Sequence, residues 1–350
     1  MGSGDWSSSQ FASDNNAGMC PEALERFLAA NSAGHVTGYG DDWWTNKASD
    51  RLREIFETDA DVHFVFNGTA ANALALAQMM QPFHAAIVHA SSHVELDEAG
   101  APSFYSGGAK LIPVHTPNAK LTEASVISHA SKLIGVHHVK VTALSVTNST
   151  ELGTVYSATE LQTLGETARK HRLRMHLDGA RFANAVVATG ASPAELSWKA
   201  GVDILCLGGV KNGLAVGECV MIFAKELREE FGWRVKQAGQ LNSKMRLVAA
   251  PWLGLLDNET WLKNAQHANA MAALLSSQLR NVPDIEILYP VDANVVFVGL
   301  PEHIQRGLRA RGWSFYTFLP PVGCRLMCAW DTQRAAIDRF VADLRAIASG

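Results

Sequence analysis

The sequence has 350 residues, of which 47% are apolar and 18% are charged, and its formal net charge is −4. This composition is typical of a globular protein long enough to form two domains. A nearly balanced, slightly acidic charge argues against a nucleic-acid partner. The longest apolar stretches, at 70–77 and 204–207, are too short to cross a bilayer, so we expect no contact with a membrane.

The N-terminus and the cysteines both bear on the compartment. The first fifteen residues lack the basic and apolar segments of a signal peptide. Five cysteines form an odd, sparse set, which argues for a reducing compartment and against a disulfide framework. No Cys/His cluster has zinc spacing, so we predict no metal site. Together these features predict a cytoplasmic protein.

Short apolar strands alternate with helical segments over most of the chain. After a polar arm at 1–16, the predicted helices lie at 21–31, 45–56, 70–80, 159–171 and 193–200. The predicted strands lie at 62–66, 85–89, 110–114, 143–146, 174–177, 204–207 and 219–223. This alternation favours an α/β fold, with a large domain at 17–250 whose mainly parallel sheet has helices on both faces.

The pattern changes near Pro251, after which the helices become longer. Helices are predicted at 259–279, 302–311 and 332–348, and strands at 285–288, 294–298 and 325–330. The sequence therefore predicts a small C-terminal α+β domain at 251–350.

Two short segments carry the residues most informative about chemistry. In Met175-His176-Leu177-Asp178-Gly179-Ala180-Arg181 a carboxylate ends an apolar run, and in Gly208-Gly209-Val210-Lys211-Asn212-Gly213 a lysine lies among glycines. An aspartate that holds a pyridinium nitrogen and a lysine that forms a Schiff base are what pyridoxal phosphate (PLP) requires of a protein. Asp178 is equally well explained as a helix N-cap, with Arg181 as its partner on the surface.

The turn Asn67-Gly68-Thr69 joins a predicted strand to a predicted helix. The free backbone N–H groups and the positive end of the helix dipole suit a phosphate there, Thr69 adds a hydroxyl, and Gly68 permits close approach. Taken alone, the turn is also explained as an ordinary connection.

Four further residues are candidates because of where they lie relative to strands. His93 follows the strand at 85–89, where its ring could lie flat on an aromatic group or act as a base. His137 and His138 precede another strand, and each is also explained as an ordinary histidine. Arg325 opens a strand of the small domain and is shaped to clamp a carboxylate, or it is a surface arginine.

Together these segments resemble the threonine aldolase family of fold-type-I PLP enzymes, which share the aspartate aminotransferase fold. The most specific segments are residues 176–185 (HLDGARFANA), residues 38–42 (GYGDD) and residues 67–72 (NGTAAN). The matching stretches run from Ser13 to Arg325. The resemblance implies a PLP-dependent enzyme that cleaves β-hydroxy-α-amino acids to glycine and an aldehyde.

The resemblance also implies roles for residues around the cofactor. Lys211 would form the Schiff base, Asp178 would pair with the ring nitrogen, and His93 would stack on the ring. Gly68 and Thr69 would hold the phosphate.

Residues around the substrate are implied in the same way. Arg181 would lie near the cofactor O3′ and the substrate carboxylate, which Ser13 and Arg325 would also bind. Tyr39 would close the site from a neighbouring subunit, in a homodimer or homotetramer with shared active sites. Lys236 stands where related enzymes have a cationic phosphate partner. For the base that takes the β-hydroxyl proton, His93 is the first candidate, followed by His137 or His138 or a water.

Two departures from the family pattern leave the substrate preference open. Many members have Ser-Lys-Gly-Leu-Gly around the lysine and Glu-Asn-Thr before the aspartate, where this chain has residues 209–213 (GVKNG) and 147–150 (TNST). Threonine, allo-threonine and phenylserine are all candidate substrates. Trp43, Trp44 and Phe104 would line an apolar pocket for an aromatic substituent, or belong to the core or a subunit interface. A β-eliminating lyase, an aminotransferase and a non-catalytic protein on the same scaffold remain alternatives.

Overall fold

The computed structural model describes residues 10–132 and 135–348. The first nine residues of the predicted arm lie outside these ranges. Within them, no helix is both long and apolar enough to cross a membrane.

Eleven strands in the described ranges form two sheets. The strands are β1 (Asp61–Val65), β2 (His84–His89), β3 (Lys110–Val114), β4 (Lys140–Thr147), β5 (Arg174–Gly179), β6 (Ile204–Leu207), β7 (Glu218–Ile222), β8 (Glu286–Ile287), β9 (Val295–Gly299), β10 (Tyr316–Leu319) and β11 (Gly323–Met327). The large sheet has the order β1-β7-β6-β5-β4-β2-β3 and the small one the order β10-β11-β9-β8. In the large sheet only β7 runs against its neighbours.

The helices connect and cover these strands. They are α1 (Pro21–Asn31), α2 (Trp43–Ile55), α3 (Gly68–Met79), α4 (His93–Leu96), α5 (Ala101–Tyr105), α6 (Glu123–Ala130), α7 (Ala158–Lys170), α8 (Phe182–Thr189), α9 (Phe231–Gln237), α10 (Arg246–Leu256), α11 (Thr260–Leu279), α12 (Glu302–Ala310) and α13 (Arg334–Ala348). Helix α3 is buried along most of its length against the large sheet, which explains its nearly uniform apolar sequence.

Alternation along β5 determines which side chains reach the functional face. Met175 and Leu177 point into a core shared with α7, α8 and α10. His176 and Asp178 point to the opposite face, which α3 covers, because successive side chains of a strand alternate. The Asp178 carboxylate, near the carboxyl end of β5, is therefore directed towards the N-terminal half of the buried helix α3.

The second core lies between the small sheet and the helices α11, α12 and α13. Phe11 of the N-terminal arm is fully buried in it, and Phe11 N donates to Ser314 O at 2.8 Å. The arm is thus packed against the small sheet. Helix α11 spans both cores, with Ala265 in the first and Leu275 in the second.

Several sequence-based boundaries differ from the structure. Helix α2 begins at Trp43 rather than at residue 45, because the Asp42 carboxylate caps it by accepting from both the backbone N and the hydroxyl of Thr45. The predicted helix at 193–200 is a set of turns ending in a short 3-10 helix at Trp198–Ala200. The strand β10 has no counterpart in the prediction. Pro251 lies inside α10. The domain boundary at 250/251 stays a prediction.

Candidate functional site

A cavity of about 630 Å³ lies at the carboxyl ends of the parallel strands, where open α/β sheets bind ligands. It is bordered by the large sheet, the N-terminal arm and the small sheet. Eight of the residues singled out from the sequence border it: Ser13, Gly68, Thr69, His93, Asp178, Arg181, Lys211 and Arg325.

Asp178 is held by two donors from different elements. Its Oδ1 accepts from Ala180 N at 3.0 Å, in the turn after β5. Its Oδ2 accepts from Asn72 Nδ2 of α3 at 2.9 Å. The residue is 3% exposed, so the carboxylate is buried in a fixed orientation at the cavity. Because a buried carboxylate needs such partners, its place is determined by the sheet and helix together.

Lys211 lies in a 3-10 turn that follows β6, and the glycines before it are sterically required. A Cβ on Gly208 would lie 2.3 Å from Ala180 O, and one on Gly209 would lie 2.6 Å from a Leu214 methyl. Burial, and next the nearby Arg181 guanidinium, lower the pKa of Lys211. This direction agrees with the need for a neutral amine in Schiff-base chemistry.

Glu218 stabilises the 3-10 turn that carries Lys211. This buried residue, the first of β7, accepts from the backbone N–H groups of Gly209 and Val210. Burial raises the pKa of Glu218 to about 7, and the backbone bonds and Lys211 oppose that rise.

The start of α3 is open towards the cavity. The side chain of Asn67 caps the helix by accepting from Ala70 N at 2.9 Å, and Gly68 is the first helical residue. A Cβ placed on Gly68 would meet nothing within 4 Å, so the protein itself does not fill that space. Free N–H groups at the start of a twelve-residue helix, beside the Thr69 hydroxyl, make this turn suitable for an anion.

His93 begins α4 and contacts two carboxylates. Its Nδ1 lies 2.8 Å from Glu98 Oε1, and its backbone N donates to Glu151 Oε1 at 2.9 Å. Burial, and next Asp178, raise the pKa of Glu151 to about 7. Glu151 also borders the cavity, so the site holds a second acid that titrates near neutrality.

A buried ion pair joins the arm to the turn after β5. Arg181 Nε donates to Asp14 Oδ2 at 2.7 Å and its Nη2 to Asp14 Oδ1 at 2.9 Å. Burial by itself would raise the pKa of Asp14, but the Arg181 pair outweighs it and the pKa is lowered. The adjacent Ser13 caps the short helix at Asp14–Asn16 by accepting from Asn15 N. The pair therefore brings Ser13 to the cavity.

Arg325 reaches the cavity from β11. Its guanidinium carbon lies 4.9 Å from the Phe318 ring centroid and 5.4 Å from that of Tyr316. Arg325 Nη2 donates to Ala12 O at 3.2 Å, while its buried Nε has no hydrogen-bond partner within the described ranges. A planar cation oriented by two rings, with an unused donor, is suited to a carboxylate ligand.

Four of the residues proposed for the site from the sequence do not border this cavity. Tyr39 and Lys236 line a separate cavity of about 510 Å³, in which the Lys236 amine lies 5.0 Å from the Tyr39 ring centroid. His137 is exposed and precedes the amino end of β4, at the edge of the sheet opposite to Asp178. Within one protomer, therefore, His137 is not brought to the cavity, and neither is His138.

The aromatic wall of the cavity also differs from expectation. Trp43 and Phe104 are 61% and 76% exposed, and neither they nor Trp44 border the cavity. Tyr316 and Phe318 do, from β10. Their strand is only four residues long and partly buried, and no strand was predicted there.

Sequence reasoning also missed the acids and the amide that surround the predicted residues: Asp14, Asn72, Glu98, Glu151 and Glu218. Asn72 and Glu218 are polar residues in apolar segments, which is a local signal, whereas Asp14, Glu98 and Glu151 lie in polar segments that offer none. Asp14 and Asn72 bond to residues more than 100 positions away, so spacing alone does not connect them to the site.

Comparisons with known proteins agree with this architecture. The family model described as "Beta-eliminating lyase" matches residues 10–302. A protein of a Pseudomonas strain named low specificity L-threonine aldolase is 49% identical over 98% of this chain and 99% of its own length. The protein of that name from Pseudomonas aeruginosa is 50% identical over 97% of each chain.

Solved structures show the same fold. A threonine aldolase from Leishmania major superposes with a TM-score of 0.92 at 28% identity, over 97% of this chain and 99% of that one. An L-allo-threonine aldolase-like structure from Listeria monocytogenes has a TM-score of 0.73 at 15% identity, which bears on the fold alone. The expected fold-type-I architecture is thus confirmed. The chain belongs to the beta-eliminating lyase family, in the branch of the low-specificity L-threonine aldolases.

Proposed function

We propose that this protein is a PLP-dependent aldolase that cleaves β-hydroxy-α-amino acids to glycine and an aldehyde. The observation that carries the proposal is the meeting of Lys211, Asp178 and Arg325 at one cavity, although they lie on three separate elements. The high identity to two proteins named low specificity L-threonine aldolase supports it. L-threonine, L-allo-threonine and L-phenylserine are the substrates to test first.

The residues at the cavity fit PLP. Lys211 is the amine that would hold the aldehyde of the cofactor, and no hydrogen bond occupies that amine within the described ranges. Asp178 presents a buried carboxylate to a protonated ring nitrogen. The space beside Gly68, with the hydroxyl of Thr69, suits the phosphate. Lys236 lies outside this cavity, so its role as a phosphate partner requires another copy of the chain.

The substrate carboxylate would be bound between the arm and the small sheet. Arg325 offers its guanidinium, and Ser13 offers its hydroxyl, at the same cavity. The Nε and Nη2 groups of Arg181 both donate to Asp14. Arg181 therefore contributes mainly its positive charge to the site and holds the arm in place. A carboxylate fixed in this way orients the Cα–Cβ bond for cleavage.

Bound PLP supplies an electron sink for the bond that breaks at Cα. The protein has to remove the proton from the β-hydroxyl and to return one at Cα. His93 is our first candidate for the base, and Glu151 is a second titratable group at the cavity. His137 would take part only if a neighbouring subunit carried it to the site.

The preferred β-substituent depends on Tyr316 and Phe318, which form the aromatic wall. An aromatic substituent such as that of phenylserine would gain contact area there. We also infer a homodimer or homotetramer with shared sites, because Tyr39 is 53% exposed and does not border the cavity that holds Lys211 of its own protomer. The five buried, unpaired cysteines support a cytoplasmic location.

Product analysis tests the function directly. PLP-loaded protein would be given L-threonine and L-phenylserine separately, and glycine, aldehyde, ammonia and keto acid would be assayed. We expect glycine with the matching aldehyde. Ammonia with a keto acid would instead assign the protein to the eliminating lyases, and dependence on an amino acceptor would assign it to the aminotransferases.

A further inference from the structure

A chain of hydrogen bonds links His93 to Asp178 through two buried residues. His93 Nδ1 lies 2.8 Å from Glu98 Oε1. Asn72 Nδ2 donates to the same Glu98 oxygen at 2.8 Å and to Asp178 Oδ2 at 2.9 Å. An amide nitrogen carries two hydrogens, so Asn72 can make both bonds at once. Two carboxylates are therefore joined by one amide, and the histidine is attached to the outer one.

This arrangement determines which ring nitrogen of His93 is basic. An ionised carboxylate only accepts hydrogen bonds, so Nδ1 carries the proton and the lone pair of the neutral ring lies on Nε2. The side chain of Glu98 is 0% exposed, whereas that of His93 is 40% exposed. Since Nδ1 faces the buried side, the Nε2 edge is the part of the ring open to the cavity.

We propose that Glu98 and Asn72 are positioning residues that hold the His93 ring with Nε2 as its basic atom, in a fixed position relative to Asp178. The inference rests on the proposed function, in which His93 is the base and Asp178 holds the ring nitrogen of PLP. A carboxylate that orients a histidine through Nδ1 is the arrangement that serine hydrolases use to fix a catalytic tautomer.

The charges around His93 act in opposite directions. The hydrogen bond that His93 donates to Glu98 is the largest influence and raises the pKa of His93; burial and Lys211 lower that pKa, and Asp178 raises it. Glu151 faces the backbone N of the same residue. Burial raises the pKa of Glu98 itself, and the bonds from His93 and Asn72 oppose this.

Glu98 is difficult to explain as a structural residue alone. Its second oxygen, Oε2, is buried without a hydrogen-bond partner in the described ranges, and so is Asn72 Oδ1. A buried carboxylate with half of its hydrogen-bonding capacity unused destabilises the folded state relative to an apolar side chain. Its retention next to His93 and Asp178 favours a role at the site.

The test is Glu98→Gln, with Glu95→Gln as the matched control, because Glu95 is exposed on α4, the helix that His93 begins. The PLP-loaded variants would be assayed for cleavage of phenylserine across pH, and PLP content would be measured by absorbance. We expect Glu98→Gln to retain PLP and KM, to lose roughly 10–100-fold in kcat, and to shift the acidic limb of kcat/KM down by about one pH unit or more. Glu95→Gln should match the parent.

A readout independent of turnover is the pKa of His93, followed by NMR of protein labelled at histidine and assigned with His93→Asn. We expect that pKa to fall in Glu98→Gln and to stay unchanged in Glu95→Gln. Asn72→Ala, which leaves the Glu98 charge in place, should lower kcat with little change in that pKa. An unchanged His93 pKa and an unchanged pH limb in Glu98→Gln would overturn the proposal. If the parent protein yields no glycine, the proposed function fails while the NMR result still judges the pairing.

Discussion

The two sides of the cavity are built in different ways. On one side, Asp178, Lys211 and Gly68 lie at the ends of strands or the start of a helix of the large sheet, and their backbone is determined by that sheet. On the other side, Ser13 and Arg325 are brought together by the arm and the small sheet. That second side depends on a buried ion pair between residues 14 and 181 and on contacts of Arg325 with the arm.

This difference suggests a division of labour. The strand-end side carries the groups that would hold the cofactor and change its reactivity, so its variants should act on kcat. The arm side carries the groups that would bind the substrate carboxylate, so its variants should act on KM. Substitutions on the two sides test whether kcat and KM respond in this way.

The largest effect is expected at the lysine. Lys211→Ala removes the amine that would bond to PLP, and kcat for glycine formation should fall by about 10⁴-fold or more. Lys199→Ala, on the surface beside Glu57, is the matched control and should keep normal turnover. Steady-state assays with excess PLP would check this. Turnover within tenfold of the parent would remove Lys211 from the reaction.

A smaller loss of kcat is expected at the other strand-end group. Asp178→Asn keeps the shape of the side chain but removes the charge that would favour a protonated ring nitrogen. We expect kcat to fall by roughly 10²–10³-fold, with KM changed little. PLP content and kinetics would be measured on the same sample. A rise in KM at normal kcat would contradict the division between the two sides.

Arg325→Lys tests the arm side. Lysine keeps the positive charge but loses the planar donor set that suits a carboxylate. We expect KM for phenylserine to rise about 10–100-fold, as for the loss of a hydrogen bond to a charged group, while kcat stays within a few-fold. Arg334→Lys, exposed on α13, is the control. A large loss of kcat at normal KM would show that Arg325 acts on the reacting bond instead.

The smallest effect concerns stability and pH at Glu218. Its folded-state pKa of about 7 lies above the ordinary value of 4.5, so the folded state binds the proton more tightly than the unfolded state. That contribution to stability is complete below about pH 4.5 and is lost as pH rises through 7.

Glu218→Gln has no carboxyl group at this position, so its stability does not fall in this way as the pH rises. Between pH 5 and pH 8.5 its Tm should improve relative to the parent by a few °C at most, measured by calorimetry on PLP-loaded protein. Glu25→Gln, exposed on α1, should show no such trend. A Tm difference independent of pH would mean that Glu218 keeps an ordinary pKa.

The same comparison explains which parts of the molecule can be predicted from sequence. Strand β6 is buried on both faces and gives a continuous apolar run, and the buried β5 alternates apolar residues with His176 and Asp178, so the residues at the ends of these strands are recognisable as a site. Strand β10 is only four residues long, is half exposed and is followed directly by Pro320 and Pro321, so its signal is weaker than that of a buried strand. The aromatic wall of the cavity was missed for this reason.

Pairings between distant residues set the second limit. Asp14 and Arg181 are 167 positions apart, and Asn72 and Asp178 are 106 apart, so no local pattern connects them. The resemblance named Arg181 and Asp178 but not the partners that hold them. His137 shows the opposite failure, in which a predicted site residue lies far from the site. It precedes the amino end of β4, whereas the cavity lies at the carboxyl ends of the strands within one protomer.

The most direct test of the account is to reduce the PLP-loaded protein with borohydride and map the modified peptide by mass spectrometry. The account predicts one phosphopyridoxyl group per chain, attached to Lys211, and its absence from Lys211→Ala. Attachment to Lys236 or to any other lysine, or PLP that remains unattached in an active enzyme, would contradict it.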